Sequence, residues 1–215
     1  TSTTLTLVSD QNISAVFKEK SSDLRILSLL SNPSHAGTTS GSGSYNDKQK
    51  VGISAHPLEG YSFVEWLGEG SSDPNSSSTT VDLSSDLNLT ASFAINSFEL
   101  VLDSSMGGRV SGDGNYSYGS TVVITAYPDT GYTFLGWNGE GINDPIALST
   151  SVKIEQNRKL TASFSKKEFV LSLSTGTGGI VQGGGTFTYG EKAKIFAIPS
   201  EGFRFQSWNG FGVEN

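Results

Sequence analysis

The chain has 215 residues, no cysteine and a formal net charge of −7. The lack of cysteine excludes disulfides, thiolate metal sites and cysteine nucleophiles, and the acidic balance argues against nucleic-acid binding, which favours a basic surface. No apolar run approaches the ~18 residues that a membrane-spanning helix needs, so membrane insertion is not expected.

A tryptophan-centred phrase recurs along the chain with a spacing of 71 residues. It reads GYSFVEWLGEG at 60–70, GYTFLGWNGEG at 131–141 and GFRFQSWNGFG at 202–212. A fixed spacing of this length predicts a tandem array of one small module, here in three copies. A catalytic site normally occurs once in a protein, whereas the residues that recur here are aromatic, aliphatic and glycine. The repeat therefore indicates a non-catalytic protein.

The middle copy predicts six short strands and no helix. The strands fall at 98–102, 110–118, 121–127, 132–137, 152–154 and 160–164. Alternation of apolar and polar residues in the first is typical of a strand with one buried face; glycine bends the second, and the last two form a closing hairpin. Closely spaced turn signals predict a β-sandwich-like module. The fold class is all-β: an elongated array of three modules of 71 residues.

The closing hairpin of the module also opens the chain. The three matching segments are TTLTLVSDQNISAVF at 3–17, TTVDLSSDLNLTASF at 79–93 and TSVKIEQNRKLTASF at 150–164. The first copy carries five extra residues, which fall between Phe17 and Gly37. Both ends of the chain fall in the loop that contains an Asp-Pro pair in the first two copies. This favours a segment excised from a longer array.

Two divisions into modules remain open. If each hairpin belongs to the body that follows it, the modules are 1–72, 77–143 and 148–215. If each hairpin belongs to the body that precedes it, the modules are 24–93, 98–164 and a truncated 169–215. The first division is favoured, because both chain ends then lie in one loop, and it predicts a monomer. The second leaves an unpaired strand edge, which the hairpin of a second molecule would fill in a weak head-to-tail association.

Three motifs of the middle copy, in order, resemble the divergent internalin-type B-repeat. They are the Gly-x-Val-x-Gly start at 108–112, the GYTFLGWNGEG centre and the LTASF close at 160–164. The resemblance covers most of the first copy, nearly all of the second, and the third without its last hairpin. Members of this family are tandem copies in extracellular and cell-surface bacterial proteins, including large adhesins and some polysaccharide-degrading enzymes. The resemblance implies an extracellular or cell-surface location.

The tryptophan phrases are the candidate ligand site. The candidate contacts are Trp66, Trp137, Asn138, Trp208 and Asn209. An aromatic platform with a few polar partners is typical of a shallow site. However, alternation places Leu135 and Trp137 on one strand face and Tyr132 and Phe134 on the other, so both faces are apolar and Trp137 is expected in the core. The polar partners also vary between copies, since Leu67 occupies the position of Asn138.

The other motifs favour structural roles. Ser111-Gly-Asp-Gly-Asn115 offers alternate oxygen donors, but a calcium loop would place glutamate where Ile124 stands. Glu140 and Asp144 match an acid–base pair for glycoside cleavage, yet the third copy has Phe and Asn there. His35 and His56 occur in the first copy alone, and the glycine clusters at 176–179 and 183–185 lack the Lys-Ser/Thr of a phosphate loop. No catalytic residue, metal or cofactor is predicted.

Two functions remain open on this basis. The favoured one is a non-catalytic structural or spacer array of a secreted or surface-anchored bacterial protein, of the adhesin-stalk type. Modules with a radius of gyration of about 11 Å, set in line, would span roughly 80–100 Å. The alternative is a multivalent module that binds a glycan or a surface protein through its tryptophan loops. Exposure of the three tryptophans distinguishes the two.

Overall fold

The computed structural model describes residues 2–18 and 23–210 of the chain. These residues form strands and no helix, which confirms the all-β prediction. The strands are β1 Leu24–Asn32, β2 Gly37–Ser40, β3 Gly43–Asn46, β4 Gln49–Pro57, β5 Tyr61–Leu67, β6 Ser78–Leu83, β7 Leu87–Ile95, β8 Ser97–Ser104, β9 Gly108–Ser111, β10 Gly114–Ser117, β11 Thr121–Pro128, β12 Tyr132–Asn138, β13 Ser149–Lys153, β14 Arg158–Lys166, β15 Glu168–Leu171, β16 Gly179–Gln182, β17 Gly185–Thr188 and β18 Phe196–Pro199. The chain divides into two compact units between Ala94 and Ile95, and the second unit contains the second and third repeats.

The second repeat is built from two open sheets. One has four strands in the order β10-β8-β14-β12, and the other has three in the order β13-β11-β9. Alternate side chains of these strands are buried, as expected for sheets with one apolar face. Both sheets contribute to one core, whose buried members are Leu100, Val122, Ile124, Ala126, Trp137, Val152, Ile154, Leu160, Ala162 and Phe164.

The first repeat has the same topology. Its four-stranded sheet has the order β3-β1-β7-β5, and its three-stranded sheet has the order β2-β4-β6. Its buried core members are Leu27, Leu29, Ala36, Val51, Ile53, Ala55, Trp66, Val81, Leu83, Leu89, Ala91 and Phe93. The sequence repeat is therefore a repeat of fold as well, with each core built within its own copy.

In each complete repeat the first and last strands lie side by side and parallel. β1 pairs with β7 from Leu27↔Leu87 to Asn32↔Ser92, and β8 pairs with β14 from Leu100↔Arg158 to Ser104↔Ala162. The predicted closing hairpin is wrong in this respect. Its two halves, β13 and β14, lie in different sheets, since β13 pairs with β11 while β14 lies between β8 and β12. We refer to residues 78–95 and 149–166 as the closing segments.

The closing segments complete the cores of the repeats that precede them. Their apolar side chains are almost fully buried: Val81, Leu83, Leu89, Ala91 and Phe93 in the first repeat, and Val152, Ile154, Leu160, Ala162 and Phe164 in the second. A boundary at 72/77 or 143/148 would separate these side chains from the strands they pack against. The buried cores of the first two repeats are accordingly built from residues within 24–95 and 97–166.

The third repeat is open along one side within the described residues. Its strands form two-stranded sheets, β15-β17 and β16-β18, which correspond to β8-β10 and β9-β11. The tryptophan phrase at 202–210 forms no strand. In the second repeat the corresponding strand β12 pairs with β14 and with no other strand, and a counterpart of β14 is not among the described residues. Among the described residues, the phrase therefore has no paired strand of the kind that holds β12 extended.

Residues 131, 167 and 189 join the second repeat to the third. Lys167 donates its backbone N–H to the Gly131 carbonyl at 2.8 Å, and Tyr189 donates to the Lys167 carbonyl at 2.8 Å. The Tyr189 ring lies directly over Gly131, so that a β-carbon at this glycine would overlap it. Gly131 also has φ +83°, a conformation that side chains disfavour.

Alanine at Gly131 is expected to destabilise this unit more than alanine at Gly119. Both glycines have positive φ (+83° and +79°), but a β-carbon at Gly119 would meet nothing within 4 Å. Both substitutions carry the cost of positive φ, and Gly131→Ala must in addition displace Tyr189, at a further cost of about 1–3 kcal/mol. Urea unfolding of the two variants measures the difference, and equal losses would contradict the ring contact.

Candidate functional site

The tryptophans of the first two repeats lie inside the cores. Trp66 is 2% exposed and Trp137 is 5% exposed. Each indole Nε1 donates a hydrogen bond at 3.1 Å to a carbonyl of the following loop, Ser76 for Trp66 and Ala147 for Trp137. Each backbone N–H donates at 2.7 Å to the proline carbonyl of the same loop. The tryptophan thus fastens the loop to the core at two points.

A β-bulge turns Trp137 inward. The register of β12 against β14 shifts between Phe134 and Gly136, which has φ +148°. A bulge inserts one residue and reverses the alternation beyond it. The predicted shared face of Leu135 and Trp137 is therefore wrong, because Leu135 is 60% exposed while Trp137 is buried. Phe134 and Trp137 instead pack together, with ring centroids 5.8 Å apart.

The aromatic cluster extends to the closing segment. Phe134 contacts Phe164 at 5.6 Å between ring centroids, and in the first repeat Phe63 contacts Phe93 at 6.1 Å. The Phe164 ring lies against the backbone of Gly108, where any β-carbon would overlap it. This contact explains the glycine at the start of the Gly-x-Val-x-Gly motif. The aromatic cluster packs the strand that contains the tryptophan against the closing segment.

The Asp-Pro loops are ordered by local hydrogen bonds. Asp144 Oδ1 accepts from the N–H of Ile146 at 3.1 Å, and the N–H of Asp144 donates to Thr150 Oγ1 at 2.9 Å. In the first repeat, Asp73 makes the same pair of bonds with Asn75 and Thr79. The aspartate oxygen that faces the loop is thus engaged in a turn, which is a common structural role of this residue.

The predicted ligand contacts are divided between the core and the surface. Trp66 and Trp137 are buried, whereas Asn138 and Asn209 are exposed. Trp208, in the open third repeat, is half-buried and lies 5.6 Å from the ring centroid of Phe205. The first two repeats therefore do not present an indole face beside the asparagine position, and an aromatic platform of the predicted kind is not formed there.

The remaining motifs make structural contacts. Tyr116 Oη donates at 3.0 Å to the carbonyl of Gly112, inside the segment considered for calcium, and Arg158 donates at 3.0 Å to the carbonyl of Glu140. His35 Nε2 lies 3.1 Å from the hydroxyl of Tyr61. Over residues 2–18 and 23–210, no three His, Asp or Glu side chains are grouped so that they could hold a metal ion.

Among the described residues, three ion pairs at the surface account for the side chains whose pKa values are shifted. Hydrogen bonding and charge from Asp47 raise the pKa of Arg25, and the same two effects from Asp103 raise the pKa of Lys159. Lys153 lowers the pKa of Glu155 in the same way. The Lys159–Asp103 pair, 2.8 Å apart, joins β14 to β8. Ion pairs at the surface contribute little to stability.

Polar residues at both ends of the parallel ladder were not anticipated from the sequence. At one end, Asn157 Oδ1 accepts from the N–H of Glu99 at 2.9 Å. At the other, Ser105 Oγ accepts from the N–H of Phe164 at 2.8 Å and the Ser105 N–H donates to the Ala162 carbonyl at 2.8 Å. The first repeat has Asp86 in the place of Asn157, accepting from Ile26 at 2.8 Å. The sequence feature that could have indicated these contacts is the Asp or Asn that recurs before the last strand of each complete repeat.

A model of the divergent InlB B-repeat domain matches the chain three times, at 27–97, 98–168 and 169–214. The chain belongs to this family. Repeats of the divergent InlB B-repeat family are typically found on bacterial surface proteins. Comparisons with curated proteins and with solved structures found no match. Within the part of the chain that the structure describes, no helix of these B-repeats has the length and apolarity needed to cross a bilayer.

Proposed function

We propose that this B-repeat array is a non-catalytic, load-bearing spacer of a secreted or surface-anchored bacterial protein, of the adhesin-stalk type. The parallel pairing of the first and last strands in each complete repeat carries the proposal. The chain enters the second repeat at β8 and leaves it at β14. Because these strands are parallel neighbours, tension along the chain pulls them in opposite directions along their length. The force is then shared by all the hydrogen bonds of the ladder.

Side chains reinforce both ends of this ladder. Asn157 holds the start of β8, and Ser105 holds the end of β14. The Lys159–Asp103 ion pair adds a third cross-link between the same two strands. A single hydrogen bond contributes about 0.5–1.5 kcal/mol, so resistance to pulling comes from loading many bonds at once. The recurrence of Asp86 in the first repeat supports the same role there.

Short connections support the transmission of force between repeats. One residue, Asn96, separates β7 from β8, and one residue, Lys167, separates β14 from β15. Tension on one repeat therefore reaches the terminal strand of the next with little slack. The buried tryptophans support the spacer function over the glycan-binding alternative, since an indole inside the core has no face to offer to a sugar.

Force spectroscopy with two attachment geometries tests this proposal. The chain has no cysteine, so paired substitutions provide unique handles. Handles at Ser97→Cys and Lys166→Cys load the β8–β14 ladder in shear. Handles at Asn138→Cys and Gln156→Cys pull β12 away from the start of β14 and open that antiparallel pair one bond at a time. We expect rupture forces several-fold higher in shear, and similar forces in the two geometries would reject the load-bearing function.

A further inference from the structure

We propose that the outer face of the sheet β13-β11-β9 binds an acidic polysaccharide, with Arg109 holding a sugar carboxylate. This activity goes beyond the spacer function and uses a surface distinct from the tryptophan loops. Alternate residues of the central strand β11 point away from the core, since Ile124 and Ala126 are buried whereas Tyr127 is 40% exposed. The sheet therefore has one face in the core of the second repeat and one face open to solvent.

An arginine held over a tyrosine lies at one end of this face. Arg109 and Tyr127 are register partners in β9 and β11, and the guanidinium carbon lies 5.0 Å from the centre of the tyrosine ring. The face of the ring attracts the cation and so favours one position of the side chain. No described Asp or Glu forms an ion pair with Arg109. Its N–H groups can therefore bind the carboxylate of a ligand in bidentate fashion.

The charges of the face favour an anionic ligand. The three strands contain no Asp or Glu, and their charged residues are Arg109 and Lys153. Lys153 is paired with Glu155 at 2.7 Å, so Arg109 carries the unbalanced charge. The whole chain has a formal net charge of −7, and a cationic face attracts an anion that the rest of such a surface repels.

A row of hydroxyl groups lies beside the arginine and the tyrosine. Thr125 pairs with Ser111 on one side and with Ser149 on the other, so the three side chains cross the sheet in one row. Thr125 Oγ1 lies 3.1 Å from Ser149 Oγ, and Ser111 Oγ lies 3.4 Å from the hydroxyl of Tyr127. Hydroxyl groups both donate and accept hydrogen bonds, as those of a sugar do. The row favours a uronate-containing polysaccharide over an acidic peptide, because an extended peptide typically pairs with the edge of a sheet through its backbone.

The other repeats retain only part of this surface. The hydroxyl row recurs in the first repeat, in the same register, as Ser40, Ser54 and Ser78. The arginine and the tyrosine do not recur: the register partners in their places are Thr38 and His56 in the first repeat, and Ile180 and Ile198 in the third. The site is thus confined to the second repeat, and the first repeat provides the hydroxyl row without the arginine.

Calorimetric titration of the full chain with a short oligogalacturonate at low ionic strength tests the carboxylate contact. The matched ligand is the same oligosaccharide with its carboxylates methyl-esterified, which removes the charge and keeps the ring hydroxyls. We expect one site per chain for the acidic form, and an affinity lower by about tenfold or more for the esterified form and for Arg109→Gln, since hydrogen bonds between charged groups are lost. Absence of binding by the acidic form, or equal binding of the two forms, would overturn the proposal.

Lys166→Gln is the control for the loss of charge. Lys166 is exposed in β14, which belongs to the other sheet of the same repeat. The substitution lowers the net charge by the same amount as Arg109→Gln and should leave the affinity nearly unchanged. An equal loss of affinity in the two variants would show that general charge attraction is responsible and would contradict a site at Arg109.

Two substitutions at Tyr127 test its role as a positioning residue for Arg109. Tyr127→Phe keeps the ring that attracts the guanidinium and should retain most of the affinity for the oligogalacturonate. Tyr127→Leu removes the ring and should lower the affinity several-fold. Equal affinities of these two variants would contradict the positioning of Arg109 by the ring.

An oligoglutamate with the same number of carboxylates distinguishes a polysaccharide from an acidic peptide. It offers the charge without the sugar hydroxyls, so we expect it to bind more weakly than the oligogalacturonate. Equal or tighter binding of the peptide would assign the face to acidic peptides and reject the polysaccharide.

Transfer of the site to the first repeat is an independent test. Thr38→Arg combined with His56→Tyr places the missing pair beside the hydroxyl row of that repeat. We expect the grafted chain to bind one more oligogalacturonate than the wild-type chain, and to retain one site when Arg109→Gln is added. A grafted chain with unchanged stoichiometry would show that the arginine, the tyrosine and the hydroxyl row do not constitute the site.

Discussion

Replacing Trp137 by alanine is expected to lower the free energy of unfolding of the second repeat by about 3–5 kcal/mol. The indole is 5% exposed and packs against Phe134. Its loss leaves a cavity that the rigid sheets cannot close, and it leaves the Ala147 carbonyl without its donor. Urea unfolding followed by circular dichroism measures the loss, and hydrogen exchange assigns it to residues 97–166.

Leu135→Ala is the matched control for this substitution. Leu135 lies on the same strand but is 60% exposed, so its truncation is expected to change stability by less than about 0.5 kcal/mol. Trp208→Ala should also cost less than Trp137→Ala, because Trp208 is only half-buried in the open third repeat. A loss at Trp137 no larger than that at Leu135 would reject the core position and make a ligand-binding role for the tryptophan worth testing again.

The repeat and the strand content could be predicted because they depend on local pattern. A period of two marks a half-buried strand wherever the strand pairs, and the same phrase in three copies marks equivalent positions. The burial of Trp137 followed from this reasoning. Its orientation relative to Leu135 did not, because the bulge at Gly136 reverses the alternation and a glycine within a strand does not by itself specify the direction of the change.

The pairing of the strands could not be predicted because alternation defines a face and leaves the neighbour undefined. The polar residues between 154 and 160 match a hairpin turn as well as a crossover between sheets. In the structure the chain crosses there, which brings β14 next to the first strand of its repeat. The parallel ladder on which the proposed function depends is therefore a property of topology. The local sequence feature associated with this ladder is the Asp or Asn at positions 86 and 157, which accepts a hydrogen bond from the first strand.

The third repeat shows how far strand formation depends on a partner. Residues 203–208 have the strand pattern of β12, yet they form no strand, and no counterpart of β14 lies among the described residues. Isolated strands gain too little from their own backbone to remain extended, and a sheet with a buried face supplies the rest. The sequence of a repeat specifies which side chains can be buried, and packing against the closing segment determines whether they are buried.

Leu160→Asp is expected to unfold the second repeat at neutral pH, at a cost of about 5 kcal/mol, because an unpaired carboxylate would be buried in the core. Leu160 is 1% exposed in β14, the strand between β8 and β12. Burial raises the pKa of the introduced carboxyl above its value in the unfolded chain. The folded state therefore binds the proton more tightly, and the destabilisation should diminish as the pH falls through that raised value.

Ile13→Asp is the repeat-matched control, since Ile13 occupies the position of Leu160 in residues 3–17. It is 69% exposed and lies outside any strand, so the substitution should change stability by less than about 0.5 kcal/mol, with no dependence on pH. Urea unfolding of both variants between acid and neutral pH provides the comparison. A stable second repeat in Leu160→Asp at neutral pH would show that β14 does not complete its core.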